Sequence, residues 1–85
     1  MKVYIPSPLL AYTGRREVSA TGGTLAELLA DLERQYPGLR FRVVDEQGHL
    51  RRHMRFFVNG RQVFELGHAL APGDTLHLVQ ALSGG

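Results

Sequence analysis

The residues of this 85-residue chain that could do chemistry are few. There is no cysteine, which excludes disulfides, iron–sulfur clusters, zinc knuckles and any thioester or persulfide step on a side chain. His49 and His53 stand four apart, a spacing able to grip a metal ion, but no third ligand is near them and no metal site is expected. His68 falls in a loop. No Ser/His/Asp set, paired carboxylates or phosphate-binding glycine loop occurs, so independent catalysis is not expected. What remains is the terminus, Leu82-Ser83-Gly84-Gly85. Glycine is costly to order and chain ends fray. The pair therefore reads either as a loose end or as a slim tail whose terminal carboxylate, on Gly85, is the reactive group.

The elements that would carry such a tail can be read from the pattern. Lys2 to Ile5 alternates as a first strand, stopped by Pro6-Ser7-Pro8, and Arg15 to Ala20 is a second strand, returning through a turn near Thr13-Gly14. Thr24 is an N-cap, and Glu27 three residues on completes a capping box. Leu25, Leu28, Leu29, Leu32 and Tyr36 follow at helical spacing, and Pro37-Gly38 ends the helix. Residues 39–53 are the least legible stretch: Leu39, Phe41, Val43 and Val44 suggest a short buried segment, and 46–52 a polar loop.

Met54 to Val58 is a strand with Met54, Phe56 and Val58 on one face, and Asn59-Gly60 predicts a hairpin returning through Gln62 to Phe64. Ala71-Pro72-Gly73-Asp74 is a tight turn before a last strand, Thr75 to Ala81, with Leu76 and Leu78 on one face and His77 and Val79 on the other. Two hairpins joined by a helix predict an α+β fold, a β-grasp: a mixed sheet of four to five strands with one main helix across one face. Tyr4, Phe57, His77 and Val79 should share the face away from the helix. A contiguous exposed apolar area there reads as a docking patch, against the blander alternative of sheet residues covered by long neighbours.

The length bounds the chain to one domain burying roughly 60% of its unfolded surface. The expected division is a globule over 1–82 and a flexible Gly-Gly tail over 83–85. The net charge is only +2, yet seven of the ten basic residues lie between Arg34 and Arg61, against Asp45 and Glu46 alone. Such a cluster suits nucleic acid, an acidic protein or plain solvent. No aromatic and glycine pattern of an RNA-binding motif accompanies it, and no nucleic acid is expected. The start of the chain has no apolar leader region and no stretch reaches membrane-span length, so a cytoplasmic protein, monomeric when alone and off the membrane, is expected.

Phe56-Phe57-Val58-Asn59-Gly60, the Pro72-Gly73-Asp74 turn, Thr75 to Val79 and the terminal Gly84-Gly85 together resemble the MoaD/ThiS family of ubiquitin-like sulfur carriers over most of the chain. The opening Ile5-Pro6 through Tyr12-Thr13-Gly14 looks most like the carriers of cysteine synthesis. Gln80, Ala81 and Ser83 depart from the apolar or basic residues ubiquitin shows its activating enzyme, and Lys2 is the sole lysine.

The resemblance implies a carrier that is a substrate rather than an enzyme. An adenylating enzyme would use ATP to activate the carboxylate of Gly85, sulfur would displace AMP to leave a thiocarboxylate, and a sulfur-accepting synthase would take the sulfur. That acceptor would be a cysteine synthase or the large subunit of molybdopterin synthase. Gly84 would slim the tail, Phe57, His77, Val79, Leu82 and Ser83 would meet the partner, and the carrier would bind no cofactor itself. The alternative is a protein modifier joined through Gly85 to target lysines.

Overall fold

The computed structural model describes residues 1–81. The alternation of the first residues makes strand β1 (Lys2–Tyr4), and β2 (Glu17–Ser19) runs antiparallel to it with Val3 opposite Val18. The link between them is not the plain turn expected. Ser7–Leu9 forms a 3-10 turn and Leu10–Thr13 a single helical turn, α1. Pro6-Ser7-Pro8 does stop β1, but proline also suits the first turn of a helix. Gly14, at φ 72°, ends α1 in a conformation that a Cβ would strain.

Helix α2 (Leu25–Gln35) starts where the capping signal puts it. The Thr24 hydroxyl accepts from the Glu27 N–H at 3.2 Å. The Glu27 carboxylate, however, reaches the N–H of Gly23 (2.8 Å), one residue before the expected Thr24. The N–H groups of Leu25 and Ala26, free in an isolated helix, donate instead to the carbonyls of His68 and Leu66. The 64–70 loop is thereby tied to the helix start. Gly22 passes so close that an added Cβ would lie 2.5 Å from the Leu28 nitrogen. Leu25, Leu28, Leu29 and Leu32 are all buried, while Tyr36 is the half-buried C-cap.

Residues Leu39–Val43 form a short helix, α3. Leu39, Val43 and Val44 are buried as expected, but Phe41 is 56% exposed, correcting its place in the buried segment. Helical spacing sets 39 and 43 on one side and turns 41 outward. The Glu33 carboxylate holds the start of α3, accepting from the N–H groups of Gly38 and Arg40 at 2.9 Å each.

Strand β3 (Met54–Val58) turns through Asn59-Gly60, both at positive φ, into β4 (Arg61–Val63), one residue earlier than expected. Strand β5 (Thr75–Gln80) closes the sheet in the order β2-β1-β5-β3-β4. Only the β1–β5 pair is parallel. Leu28 and Leu29 share one core with Val3, Phe56 and Leu78 of the sheet, which is the β-grasp arrangement. The division expected after residue 82 lies outside the described residues, as do Leu82, Ser83, Gly84 and Gly85. Among the described residues no helix is long and apolar enough to cross a membrane.

Candidate functional site

Strand alternation decides which residues the sheet offers outward. Val3, Phe56, Leu76 and Leu78 point into the core, so their neighbours Tyr4, Phe57, His77 and Val79 face the other way. Register brings three of them into one row. Tyr4 and Phe57 both lie opposite His77, one from each flanking strand. The Tyr4 and His77 rings stack with centroids 4.6 Å apart and planes 14° from parallel. Val79, 40% exposed, lies opposite Arg55. Tyr4 and Phe57 are half-buried and His77 is exposed. The expected grouping of these four side chains is therefore present, as an aromatic band across the middle three strands.

The same strand that carries His77 and Val79 leads to the tail. Gln80 pairs with Met54, and the Ala81 N–H donates to the His53 carbonyl at 2.7 Å, the last backbone tie of this segment among the described residues. The other end of β5 is held by a small polar lock. Asn59 donates through its side-chain amide to Asp74 (2.9 Å) and accepts from the Thr75 N–H (3.0 Å). The Asp74 carboxylate also takes the Ala71 N–H at 2.8 Å. The bond from Ala71, then that from Asn59, and weakly the charge of His68 hold the Asp74 carboxyl below its ordinary range, against slight desolvation. The Asn-Gly hairpin and the Pro-Gly-Asp turn, separate signals in sequence, are thus one structure.

The remaining sequence candidates do not assemble. His49, His53 and His68 are exposed, and no group of three His, Asp or Glu among the described residues is placed to hold a metal. Sequence reasoning missed a corner beside Ala81 where the Arg51 guanidinium lies 4.5 Å over the Phe41 ring and its Nε donates to the Phe41 carbonyl. The signal available was the i, i+4 spacing of Leu39 and Val43, which already sets Phe41 outside.

The model of the ThiS family matches residues 3–85. The sulfur carrier protein CysO of Mycobacterium tuberculosis is 38% identical over 89 residues, covering 98% of this chain and 96% of that protein. A chain in the crystal structure of the Amycolatopsis orientalis BexX/CysO complex superposes with a TM-score of 0.90 at 34% identity, covering 99% of this chain and 98% of that one. SAMP1 from Haloferax volcanii superposes with a TM-score of 0.83 at 33% identity, over 100% and 98%.

Proposed function

The chain belongs to the ThiS family, and from that premise we propose that it is a sulfur carrier whose working group is the terminal carboxylate of Gly85. The observation that carries this reading is the match of the ThiS family to residues 3–85, which takes in the Gly-Gly pair, beside 38% identity to a sulfur carrier protein over 98% of the chain. A carboxylate is a poor electrophile and needs a better leaving group. One of its oxygens attacks the α-phosphorus of ATP, expelling pyrophosphate and forming an acyl adenylate. Hydrosulfide then attacks the carbonyl carbon, the bond to the bridging oxygen breaks so that AMP leaves with that oxygen, and loss of the remaining S–H proton leaves a thiocarboxylate.

The chain's own contribution is positional. Five residues from Ala81 reach at most about 18 Å, and two of them lack a Cβ, so the end can enter a narrow channel while the globule stays outside. The band of Tyr4, Phe57, His77 and Val79 supplies a surface for the enzyme that receives it. Similarity to CysO favours a cysteine synthase as the acceptor over the large subunit of molybdopterin synthase.

Intact-mass spectrometry after incubation with an activating enzyme, ATP and a sulfur source tests the reading. The wild-type chain is expected to exchange one oxygen for sulfur, with the change located at Gly85. Deletion of Gly85 should abolish the exchange, and Gly84→Val should slow it severely, because valine widens and stiffens the tail. Exchange at the wild-type rate in Gly84→Val would sink the channel argument. No exchange in the wild type would sink the carrier reading. The likeness to SAMP1, the small archaeal modifier protein 1 of Haloferax volcanii, supports a second reading in which Gly85 is joined to target lysines. Covalent adducts between the activated chain and lysine-bearing proteins, in place of a thiocarboxylate, would favour it.

A further inference from the structure

The fold sorts the arginines that crowd the sequence between 34 and 61. Arg34 pairs with Asp31 in the one salt bridge found among the described residues. Arg42, Arg51, Arg52 and Arg55 gather with His53 where β3 begins and β5 ends. A groove of about 340 Å³ is lined by Phe41, Arg42, Arg51, His53 and Gln80, with Glu46 its one acid. A second, of about 310 Å³, is lined by Arg52, Arg55 and Phe64, and Arg51 and Met54 belong to both. Asp45 accepts from the N–H groups of Gln47 and His49 at 2.9 Å each and also lies near enough to Arg51 for their charges to attract, though the two form no salt bridge. Phe64 is 73% exposed, more than Phe41. Arg51 is held over Phe41 by both the ring and the carbonyl, so the corner has a set shape before anything touches it.

We propose that this corner docks against an acidic rim at the mouth of the tail channel in the activating enzyme. The inference rests on Gly85 being the working end. The corner surrounds the point where β5 stops, since Ala81 is bonded to His53 itself. Four residues beyond Ala81 span at most about 14 Å, so an enzyme that seizes Gly85 must bring its channel mouth to this corner. Burying unpaired guanidinium groups there is costly unless carboxylates stand opposite. Phe41 and Phe64 supply apolar anchors beside the charges, the pairing of aromatic and arginine found where interfaces concentrate their energy. A nucleic acid would exploit the same charge, but nothing about its binding would place it at the root of the tail.

The test compares activation of the full chain with that of Arg42→Glu/Arg52→Glu, both exposed side chains, using the enzyme that activates the wild type. Arg15→Glu/Arg61→Glu, exposed residues at other places in the chain, makes the same change in net charge. The corner variant is expected to raise KM about tenfold at low salt with little change in kcat, the size of effect that steering charges give. The difference should shrink as salt rises, and the control should stay near wild type. Equal KM values for corner and control variants would overturn the docking surface while leaving the carrier reading intact. Failure of the wild type to be activated at all would overturn both. Should the corner variant fail to fold, the wild type alone decides: its KM must rise with salt, and a flat profile refutes the acidic rim. Salt-sensitive binding of a single-stranded RNA probe, lost in the corner variant while activation is unchanged, would assign the corner to nucleic acid instead.

Discussion

At the start of β5 the side chains of Asn59 and Asp74 satisfy each other and two backbone N–H groups, whereas at its end Arg42, Arg51, Arg52 and Arg55 stand beside exposed aromatic rings with no acid paired to them among the described residues. One strand thus runs from an end whose carboxylate and amide complete each other to an end whose guanidinium groups find backbone carbonyls but, among the described residues, no paired acid. The difference separates two uses of polarity. Internal satisfaction fixes where β5 begins and hence its register against β1 and β3. Unspent charge at the other end leaves specificity to be completed by a second protein.

The comparison can be broken at the core that both ends share. Leu28→Ala removes a fully buried side chain beneath the sheet and should cost about 2–5 kcal/mol. Urea melts check this, and a loss below half that range would mean the two ends are held by local bonds rather than by the common core. Phe57→Asp and Val79→Asp change the outward face between the ends. Val79→Asp should leave the melt nearly unchanged and Phe57→Asp, at a half-buried position, should lower it without unfolding the chain, while each should weaken the activating enzyme's binding by about tenfold or more, as expected for a desolvated contact. Unfolding of Val79→Asp would contradict the observed exposure of that residue.

Finer variants sharpen the contrast. Asn59→Gly keeps the positive φ of the hairpin but deletes both side-chain bonds of the lock, at a cost of about 1 kcal/mol. Thermal melting should register it while activation kinetics stay at wild type, the reverse of the result for Arg42→Glu/Arg52→Glu.

The smallest effect is acid sensitivity. Asp74 is held low chiefly by the Ala71 N–H, Asp45 by that of His49, and Glu33 by that of Gly38. A carboxyl lowered by folding stabilises the fold at pH above its unfolded value, 3.8 for the aspartates and 4.5 for Glu33, and loses that contribution as pH falls through the lower folded value. Melting temperature should therefore be level from pH 7 to about pH 5 and decline below it. Asp74→Asn should flatten that decline, and an unchanged slope would show that the lock carries no charge dependence.

What could be read from the sequence was local in origin. The Thr24 cap, the leucine stripe, the Asn59-Gly60 hairpin and the alternation of β5 each lie within a dozen residues, and each is present, with the return strand of the hairpin one residue early and the Glu27 carboxylate on Gly23 in place of Thr24. Helix α3 was not legible because five residues do not nucleate a helix alone. It depends on Glu33, a residue of α2, and on burying Leu39 and Val43. The turn of α1 was hidden by prolines that serve as strand stop and helix start alike. Of the candidate site, the aromatic band followed from strand alternation. The basic corner did not, since it joins Arg51 to Phe41 across ten residues of irregular chain.

Placing the last strand at the middle of the sheet has a consequence for synthesis. The first strand, β1, waits for β5 on one side, and β3 waits for it on the other. The β1–β5 pairing joins Lys2 to Thr75 across nearly the whole chain, whereas β3 and β5 are near neighbours in sequence, so it is the closure of β1 onto β5 that comes late. A polypeptide cut short before Thr75 lacks the central member of its sheet, the strand that joins β1 to β3. Closing the sheet therefore waits for the same segment that carries the root of the tail, so the globule and the base of its tail are completed together.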